Sequence, residues 1–134
     1  MFLQIYADGA SRGNPGQGAI GVVIVDECGK KLATISQHIG IVTNNQAEYK
    51  AAIAALQMAH KLGATEVILH LDSELVARQL TGRYKVRSAS LYPLYLEALE
   101  LARGFSGFTA IHIAREKNAQ ADALANMALK KFSS

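Results

Sequence analysis

Four acidic residues stand at the edges of recognisable segments of this chain. Asp8 closes the segment FLQIYAD, Glu48 follows IVTNN, Asp72 closes VILHLD, and Asp122 lies within NAQADALANMA. Carboxylate oxygens suit hard cations such as Mg²⁺, and two such ions about 4 Å apart can drive an in-line displacement at phosphorus. The acids therefore predict a divalent-metal site that acts on a phosphodiester.

Each acid has a simpler explanation when it is taken alone. Glu48 and Asp72 stand near predicted helix starts, where the helix dipole favours negative charge. Four such coincidences in one short chain are improbable. Clustered carboxylates repel one another, and a divalent ion relieves that repulsion while it lowers the pKa of bound water.

Hydrophobic patterning predicts the elements that must position these acids. Five strands are expected at residues 2–8, 19–25, 31–39, 67–71 and 108–114. Four helices are expected: one opened by a Thr43–Gln46 capping box and ended by Gly63, then 73–80, 91–103 and 118–130, the last with Asn118 as its N-cap. Turns are expected at ASRGNPGQG and at residues 26–29, and the tail KKFSS is expected to fray.

The element order β-β-β-α-β-α-α-β-α predicts an α/β fold with a five-stranded mixed sheet and about four helices. The first three strands form an antiparallel meander, and the later strands join in parallel through helical crossovers. Ligands of such sheets bind at the carboxyl ends of parallel strands, where Asp72 lies. Since the helices that carry Glu48 and Asp122 can begin nearby, we expect the four carboxylates to converge.

Composition limits the class of protein. The chain has 134 residues, half of them hydrophobic and 19% charged, which fits one compact domain and excludes wholesale disorder. Its formal charge of +3 permits nucleic-acid binding without indicating it. Cys28 is the only cysteine, so no internal disulfide can form. With no signal sequence and no apolar run long enough to span a bilayer, we expect a cytoplasmic protein, by default a monomer.

Four blocks of the chain together resemble the type 1 ribonuclease H family. They are DGASRGNPG, TNNQAEYKAAIAAL, LDSELV and NAQADALAN, and each brings one of the acids. The resemblance implies one ribonuclease H domain over residues 1–134, with a ribonuclease H-like fold. It also implies an endoribonuclease that hydrolyses the RNA strand of RNA/DNA hybrids with two Mg²⁺ or Mn²⁺ ions, leaving 3′-hydroxyl and 5′-phosphate ends.

The resemblance makes the four acids both catalytic residues and metal ligands. Asp8 would bridge the two ions, Glu48 and Asp72 would join it at the ion on the leaving-group side, and Asp122 would ligate the ion that activates water. Their spacing alone does not assign these roles.

Substrate contacts are also implied by the resemblance. Ribose 2′-hydroxyls face the wide, shallow minor groove, where short polar groups and close backbone can reach them. The residues expected there are Ser11, Gly13, Asn14, Asn44 and Asn45, while Thr43 would help to hold a phosphate of the DNA strand. Turn and capping chemistry is the competing explanation for these residues.

The chain departs from the best-studied bacterial members just before the last aspartate. Those members carry a histidine-containing loop there, whereas this chain has Ala-Arg-Glu-Lys-Asn at residues 114–118. His38, His60, His70 and His112 fall in predicted strands or the first helix, and none is assigned to catalysis. Our hypothesis is that Arg115 or Lys117 partly replaces the histidine at the scissile phosphate or in product release.

Two further departures concern substrate grip. Residues 81–90, TGRYKVRSAS, are too short for the inserted basic helix and loop of those members, although Arg83, Lys85 and Arg87 could still follow a phosphate backbone. Glu74 stands where members often carry a glutamine that reads the minor groove, and a carboxylate accepts hydrogen bonds but donates none. Cleavage of RNA/RNA duplexes therefore stays open beside cleavage of hybrids.

Two other functional classes compete with a ribonuclease H. A non-catalytic module that binds RNA/DNA hybrids would have no use for four mutually repelling carboxylates. A junction resolvase or proofreading exonuclease of the same broad fold would lack the GNPG and TNN blocks.

Overall fold

One mixed sheet of five strands organises the computed structural model, which describes residues 1–133. The strands are β1 (Phe2–Gly13), β2 (Gly16–Val25), β3 (Lys31–Val42), β4 (Glu66–Leu71) and β5 (Gly107–His112). Their order across the sheet is β3-β2-β1-β4-β5; the first three are antiparallel, and β4 runs parallel to both β1 and β5. The predicted α/β fold and antiparallel meander are confirmed.

Four helices cover the sheet: α1 (Asn44–Lys61), α2 (Glu74–Leu80), α3 (Tyr92–Arg103) and α4 (Ala119–Ser133). A 3₁₀ turn, Arg115–Asn118, leads into α4. Helix α1 packs on β1 and α3, whereas α4 lies across β1, β2 and β3. The core joins the sheet to α1 through fully buried side chains such as Leu3, Ile5, Ile24, Leu56 and Leu69. Within residues 1–133 no helix is long and apolar enough to cross a membrane.

Helix α1 has the boundaries that its sequence predicts. The hydroxyl oxygen of Thr43 accepts from the backbone N–H of Gln46 at 3.1 Å, and the Gln46 side chain accepts from the N–H of Thr43 at 2.9 Å. The helix ends at Lys61 with Leu62 as its C-cap, and the next residue is the predicted Gly63, whose φ of 85° favours glycine. This capping box fixes the start of the helix that carries Glu48, so a local sequence signal positions one of the four acids.

The first hairpin is longer than predicted. Strand β1 continues beyond Asp8 to Gly13 and pairs there with Gly16, so most of the predicted ASRGNPGQG turn is antiparallel strand. Only Asn14 and Pro15 remain as the tip. Local turn preferences are overridden because the two strands satisfy each other's backbone groups along their whole length.

The carboxyl-terminal part of the chain differs from the prediction in three ways. Strand β5 ends at His112 rather than at residue 114. Asn118 is not an N-cap, because its side chain donates to the carbonyl oxygen of Ala7 instead of accepting from the helix. Residues 130–133 of the tail predicted to fray are helical, and Phe132 stacks on His38 with ring centroids 3.8 Å apart. Ser134 lies outside the described residues.

Candidate metal centre and substrate cleft

Three carboxylates converge where β1 and β4 run side by side. Ala7 and Leu71 are paired in these parallel strands, so the next residues, Asp8 and Asp72, are neighbours across the sheet. Glu48 enters from the second turn of α1. One oxygen from each of these three acids lies within 4.8 Å of the others. We call Asp8, Glu48 and Asp72 the carboxylate trio.

Two glycines beside Asp8 allow helices to approach the sheet from opposite faces. A Cβ at Gly9 would overlap the backbone of Ala47 in α1. A Cβ at Gly21, the cross-strand partner of Asp8, would overlap the backbone of Ala121 in α4. Because side chains alternate along a strand, Gly9 faces the opposite side of the sheet from Asp8 and its cross-strand partner Gly21. Gly9 therefore allows close packing of α1, which carries Glu48, and Gly21 allows close packing of α4, which carries Asp122.

Two members of the trio are buried, and the trio is incompletely paired. Asp8 is 4% exposed and Glu48 is 7% exposed. The backbone N–H of Gly9 donates to Oε1 of Glu48 at 2.8 Å, but Oε2 of Glu48 has no hydrogen-bond partner within residues 1–133. A buried carboxylate oxygen without a donor is costly unless a cation satisfies it. The donor set and this unpaired oxygen fit a divalent cation with oxygen ligands.

Asp8 and Glu48 each hold a proton more tightly than a free carboxyl group does. Burial is the largest cause that raises the pKa of Asp8, followed by its hydrogen bond with Glu48 and by the charges of Glu48 and Asp72. Burial also raises the pKa of Glu48 to about 7, although hydrogen bonds from Asp8 and from Gly9 N–H oppose the shift. A cation that binds here must displace this proton, so metal affinity should rise with pH.

The fourth acid lies at the edge of the trio. Asp122, in the first turn of α4, is near enough to Asp8 to contribute to raising the pKa of that carboxyl. Its Oδ1 lies 4.0 Å from the guanidinium of Arg115, and the two side chains are 29% and 80% exposed. Asp122 and Arg115 both line the cleft of about 470 Å³ that holds the trio. All four predicted acids are therefore brought together.

Polar groups from the first hairpin and α1 line the same cleft. The hydroxyl of Ser11 lies 2.6 Å from Oδ1 of Asn44 and 2.7 Å from the carbonyl oxygen of Gly13. Oδ1 of Asn14 accepts from the backbone N–H of Asn44 at 3.0 Å. These bonds tie the hairpin to the start of α1 and place Ser11, Asn44 and Asn45 along the cleft wall.

A second pocket of about 510 Å³ lies beyond the hairpin tip. Thr43 and Asn14 line one part of it, and Lys85 and Arg87 bring two cations from the loop of residues 81–90. Gln79 anchors that loop, because its buried side chain accepts from the hydroxyl of Tyr49 and donates to the carbonyl oxygen of Lys85 at 3.4 Å. The sequence analysis missed Gln79, whose signal was a polar residue next to the buried apolar positions Val76 and Leu80.

Three predicted residues, Gly13, Glu74 and Lys117, line neither the cleft nor the second pocket. Lys117 lines a separate cavity of about 370 Å³ with Tyr6 and Val23, whereas Arg115 lines the cleft that holds the acids. Glu74 follows the cleft residue Ser73, but its carboxylate is 3.5 Å from the Arg78 guanidinium and 3.5 Å from the Tyr84 hydroxyl. Arg12 and Asn126 line the cleft although the sequence analysis named neither.

Three histidines have structural partners. His70 stacks on Tyr6 and bonds the carbonyl oxygen of Ile5 at 3.0 Å, while burial lowers its pKa. His60 stacks on Phe105, and His38 bonds the side chain of Gln17 at 2.6 Å. Neither the trio nor the cleft lining around it includes a histidine.

Comparison with known protein families gives one match over most of the chain. The family model described as "Reverse transcriptase-like" covers residues 6–128. Ribonuclease HI of Halobacterium salinarum is 47% identical over 127 residues, which are 95% of this chain and 64% of that protein. Bifunctional protein Rv2228c of Mycobacterium tuberculosis is 45% identical over 130 residues, 96% of this chain and 36% of that protein. The chain thus spans less than two thirds of the length of these two relatives.

Two solved structures match this chain over nearly the whole length of both chains. The crystal structure of RNase H1 from Halobacterium salinarum has a TM-score of 0.95 at 44% identity and covers 98% of this chain and 99% of its own. LC11-RNase H1, solved in complex with an RNA/DNA hybrid, has a TM-score of 0.94 at 42% identity, with coverage of 98% and 99%.

Proposed function

Because the chain belongs to the type 1 ribonuclease H family, we propose that it hydrolyses the RNA strand of RNA/DNA hybrids with two divalent metal ions. The convergence of the carboxylate trio within 4.8 Å, together with the unpaired buried oxygen of Glu48, carries this proposal. The solved complex of the relative LC11-RNase H1 with an RNA/DNA hybrid supports the choice of substrate.

The acids divide between two ions in this proposal. Asp8, Glu48 and Asp72 would hold one Mg²⁺ or Mn²⁺ ion, and Asp8 and Asp122 would share the other. When bound, the ions supply an activated water and neutralise charge at the scissile phosphate, which gives 3′-hydroxyl and 5′-phosphate ends. The protein's part is to hold four carboxylates in one cleft with few competing hydrogen bonds.

The cleft wall would recognise the RNA strand. Ser11, Asn44 and Asn45 present short donors and acceptors beside the trio, which suits contact with 2′-hydroxyls in a shallow minor groove. Gly13 and Asn14 shape the hairpin end from which Ser11 projects. These contacts would favour RNA over DNA at the cleaved strand, because only ribose offers a 2′-hydroxyl.

The second pocket would hold a phosphate of the DNA strand. Thr43 uses its hydroxyl oxygen to cap α1, while its O–H donates to no partner among the described residues 1–133, and Lys85 and Arg87 add positive charge. Each cation that contacts a phosphate typically changes the slope of log affinity against log salt by about one. Replacing both Lys85 and Arg87 by Ala should therefore weaken hybrid binding and flatten its salt dependence, measured by anisotropy at several salt concentrations.

Specificity for hybrids over RNA duplexes would be relaxed. Glu74 is held by Arg78 and Tyr84 and offers only acceptors to a groove. Cleavage of RNA/RNA duplexes is accordingly part of the proposal, whereas a cytoplasmic location and a monomeric state stay predictions from the sequence.

Strand-resolved cleavage tests the proposed function. RNA/DNA, RNA/RNA and DNA/DNA duplexes and single-stranded RNA, each end-labelled, are incubated with the protein in Mg²⁺, Mn²⁺ or EDTA. We expect metal-dependent loss of the RNA strand of the hybrid, with Glu27→Gln, a change at an exposed turn, as a matched control of full activity. Metal-independent binding of the hybrid without cleavage would instead indicate a non-catalytic hybrid-binding module.

A further inference from the structure

Asn118 is a buried amide that none of the roles above uses. It ends the 3₁₀ turn before α4 and is 1% exposed. Its Nδ2 donates to the carbonyl oxygen of Ala7 at 2.9 Å and to Oδ2 of Asp72 at 3.2 Å. One side chain therefore joins the residue before Asp8, the carboxylate that follows β4 and the segment that leads into α4.

The surroundings of Asn118 fix the orientation of its amide. Both neighbours are acceptors, so only the NH₂ group can face them, and the reversed amide would place Oδ1 against two oxygens. Oδ1 itself has no hydrogen-bond partner within residues 1–133. A buried unpaired acceptor is unfavourable. The two hydrogen bonds that the NH₂ group donates offset the cost of the unpaired Oδ1.

Asp72 depends on such a restraint more than its neighbours do. Asp8 lies within β1, and the N–H of Gly9 holds Glu48, whereas Asp72 follows the end of β4 and is only partly buried. Like charges within 4.8 Å would turn an unrestrained Asp72 towards solvent. The bond from Asn118 engages Oδ2 of Asp72, and no donor within residues 1–133 bonds to Oδ1 of that carboxylate, which stays available to an ion.

Asn118 also stands four residues before Asp122, which places the two residues one helical turn apart. Anchoring Asn118 to Ala7 therefore fixes the approach of α4 to β1 at the residue next to Asp8. The amide that bonds Asp72 therefore also fixes the position of α4, the helix that carries Asp122.

We propose that Asn118 is a positioning residue that orients Asp72 for metal binding and thereby preorganises the metal centre. This inference rests on the proposed function. Hydrogen-bond partners that orient metal-ligating groups typically change metal affinity by about 10-fold to 100-fold when they are removed. The role predicts a loss of metal affinity that is separate from any loss of fold stability.

The test compares Asn118→Leu and Asn118→Ala with wild type. Leucine keeps most of the side-chain volume without a donor, and alanine removes both. Mn²⁺ binding is measured by calorimetric titration without substrate, and hybrid cleavage is measured over a range of Mn²⁺ concentrations. We expect the Kd for Mn²⁺ to rise about 10-fold or more in both variants, with KM for the hybrid unchanged and kcat recovering at high Mn²⁺. Gln120→Ala, an exposed amide two residues away, should bind Mn²⁺ within about twofold of wild type.

A second measurement uses the wild-type protein, so that a variant that fails to fold leaves the proposal testable. The side-chain NH₂ resonances of Asn118 should move as Mg²⁺ is titrated, along the same binding curve as the activity. Unchanged NH₂ resonances, or variants that bind Mn²⁺ within about twofold of wild type while only their Tm falls, would overturn the role of Asn118. Wild-type protein that neither binds Mn²⁺ nor cleaves the hybrid would overturn the proposed function as well.

Discussion

The two sides of the acidic cleft differ in how their charge is compensated. On one side, Asp8 and Glu48 are almost fully buried beside Asp72, and one oxygen of Glu48 has no partner within residues 1–133. On the other side, Asp122 is 29% exposed and faces the guanidinium of Arg115 at 4.0 Å. Within residues 1–133 no cationic side chain forms an ion pair with the trio, whereas Asp122 faces Arg115. We expect the ion held by the trio to bind more tightly than the ion at Asp122.

The largest effect should separate Asp8 from Asp122. Asp8→Asn removes the carboxylate common to both ions and should lower hybrid cleavage by at least about 100-fold, whereas Asp122→Asn should lower it by about 10-fold. Initial rates at saturating Mg²⁺ measure the difference. Because asparagine keeps the size of the side chain, circular dichroism should show both variants folded. Equal losses in the two variants would contradict the distinction between the two sides.

The two glycines beside Asp8 give the next effect. Gly9→Ala and Gly21→Ala each force a methyl group against helix backbone and should each cost about 1–3 kcal/mol of stability. Gly9→Ala displaces α1 and Glu48 and should therefore abolish Mn²⁺ binding by the trio. Gly21→Ala displaces α4 and should leave that binding measurable. Thermal unfolding with and without Mn²⁺ reports both quantities, and a Gly9→Ala variant with normal Mn²⁺ stabilisation would contradict the account.

The pH dependence of stability should reverse when metal is added. The pKa of Asp8 and that of Glu48 are raised in the folded protein, Glu48 to about 7, so the folded state binds more protons than the unfolded state above about pH 4. Stability in EDTA should therefore fall as pH rises from 5 to about 8.

Metal binding supplies the control for that titration. Mg²⁺ favours the deprotonated pair, so Tm in Mg²⁺ should stay level or rise over the same range. Calorimetry at four pH values in both conditions measures this. In EDTA, the Tm of an Asp8→Asn variant should fall much less with rising pH than the Tm of wild type. A Tm that falls as steeply in the variant would place the titrating group elsewhere.

The smallest effect should come from Arg115. Its guanidinium is 80% exposed, so its contact with Asp122 or with a phosphate is screened by water. Arg115→Ala should lower kcat by about threefold, measured with hybrid at saturating Mg²⁺. Lys117→Ala, an exposed cation that lines a different cavity, is the matched control and should leave kcat unchanged. A change of less than about twofold for Arg115→Ala would remove Arg115 from the mechanism.

Sequence patterns predicted the elements that depend on local signals. The capping box at Thr43 fixed the start of α1, and the apolar run of β4 placed Asp72 at a strand end. The four acids were found because each adjoins such an element. The length of β1 could not be predicted in the same way, since its pairing with β2 as far as Gly13 depends on a partner strand.

Residues that act through distant contacts escaped the sequence analysis. Asn118 looks like an N-cap when only its neighbours are considered, but its partners are Ala7 and Asp72, which lie 111 and 46 residues away. Gln79 likewise supports Lys85 because Tyr49, 30 residues earlier in the chain, bonds its side chain. Both roles exist only once the sheet and helices have packed.

Anomalous diffraction from Mn²⁺ in crystals of the protein with an uncleaved RNA/DNA hybrid tests the central claim most directly. The account predicts two peaks about 4 Å apart, the stronger within the carboxylate trio and the weaker between Asp8 and Asp122, with the RNA strand over the cleft wall at Ser11 and Asn45. Peaks elsewhere on the protein, or a hybrid bound with no Mn²⁺ at the trio, would contradict it.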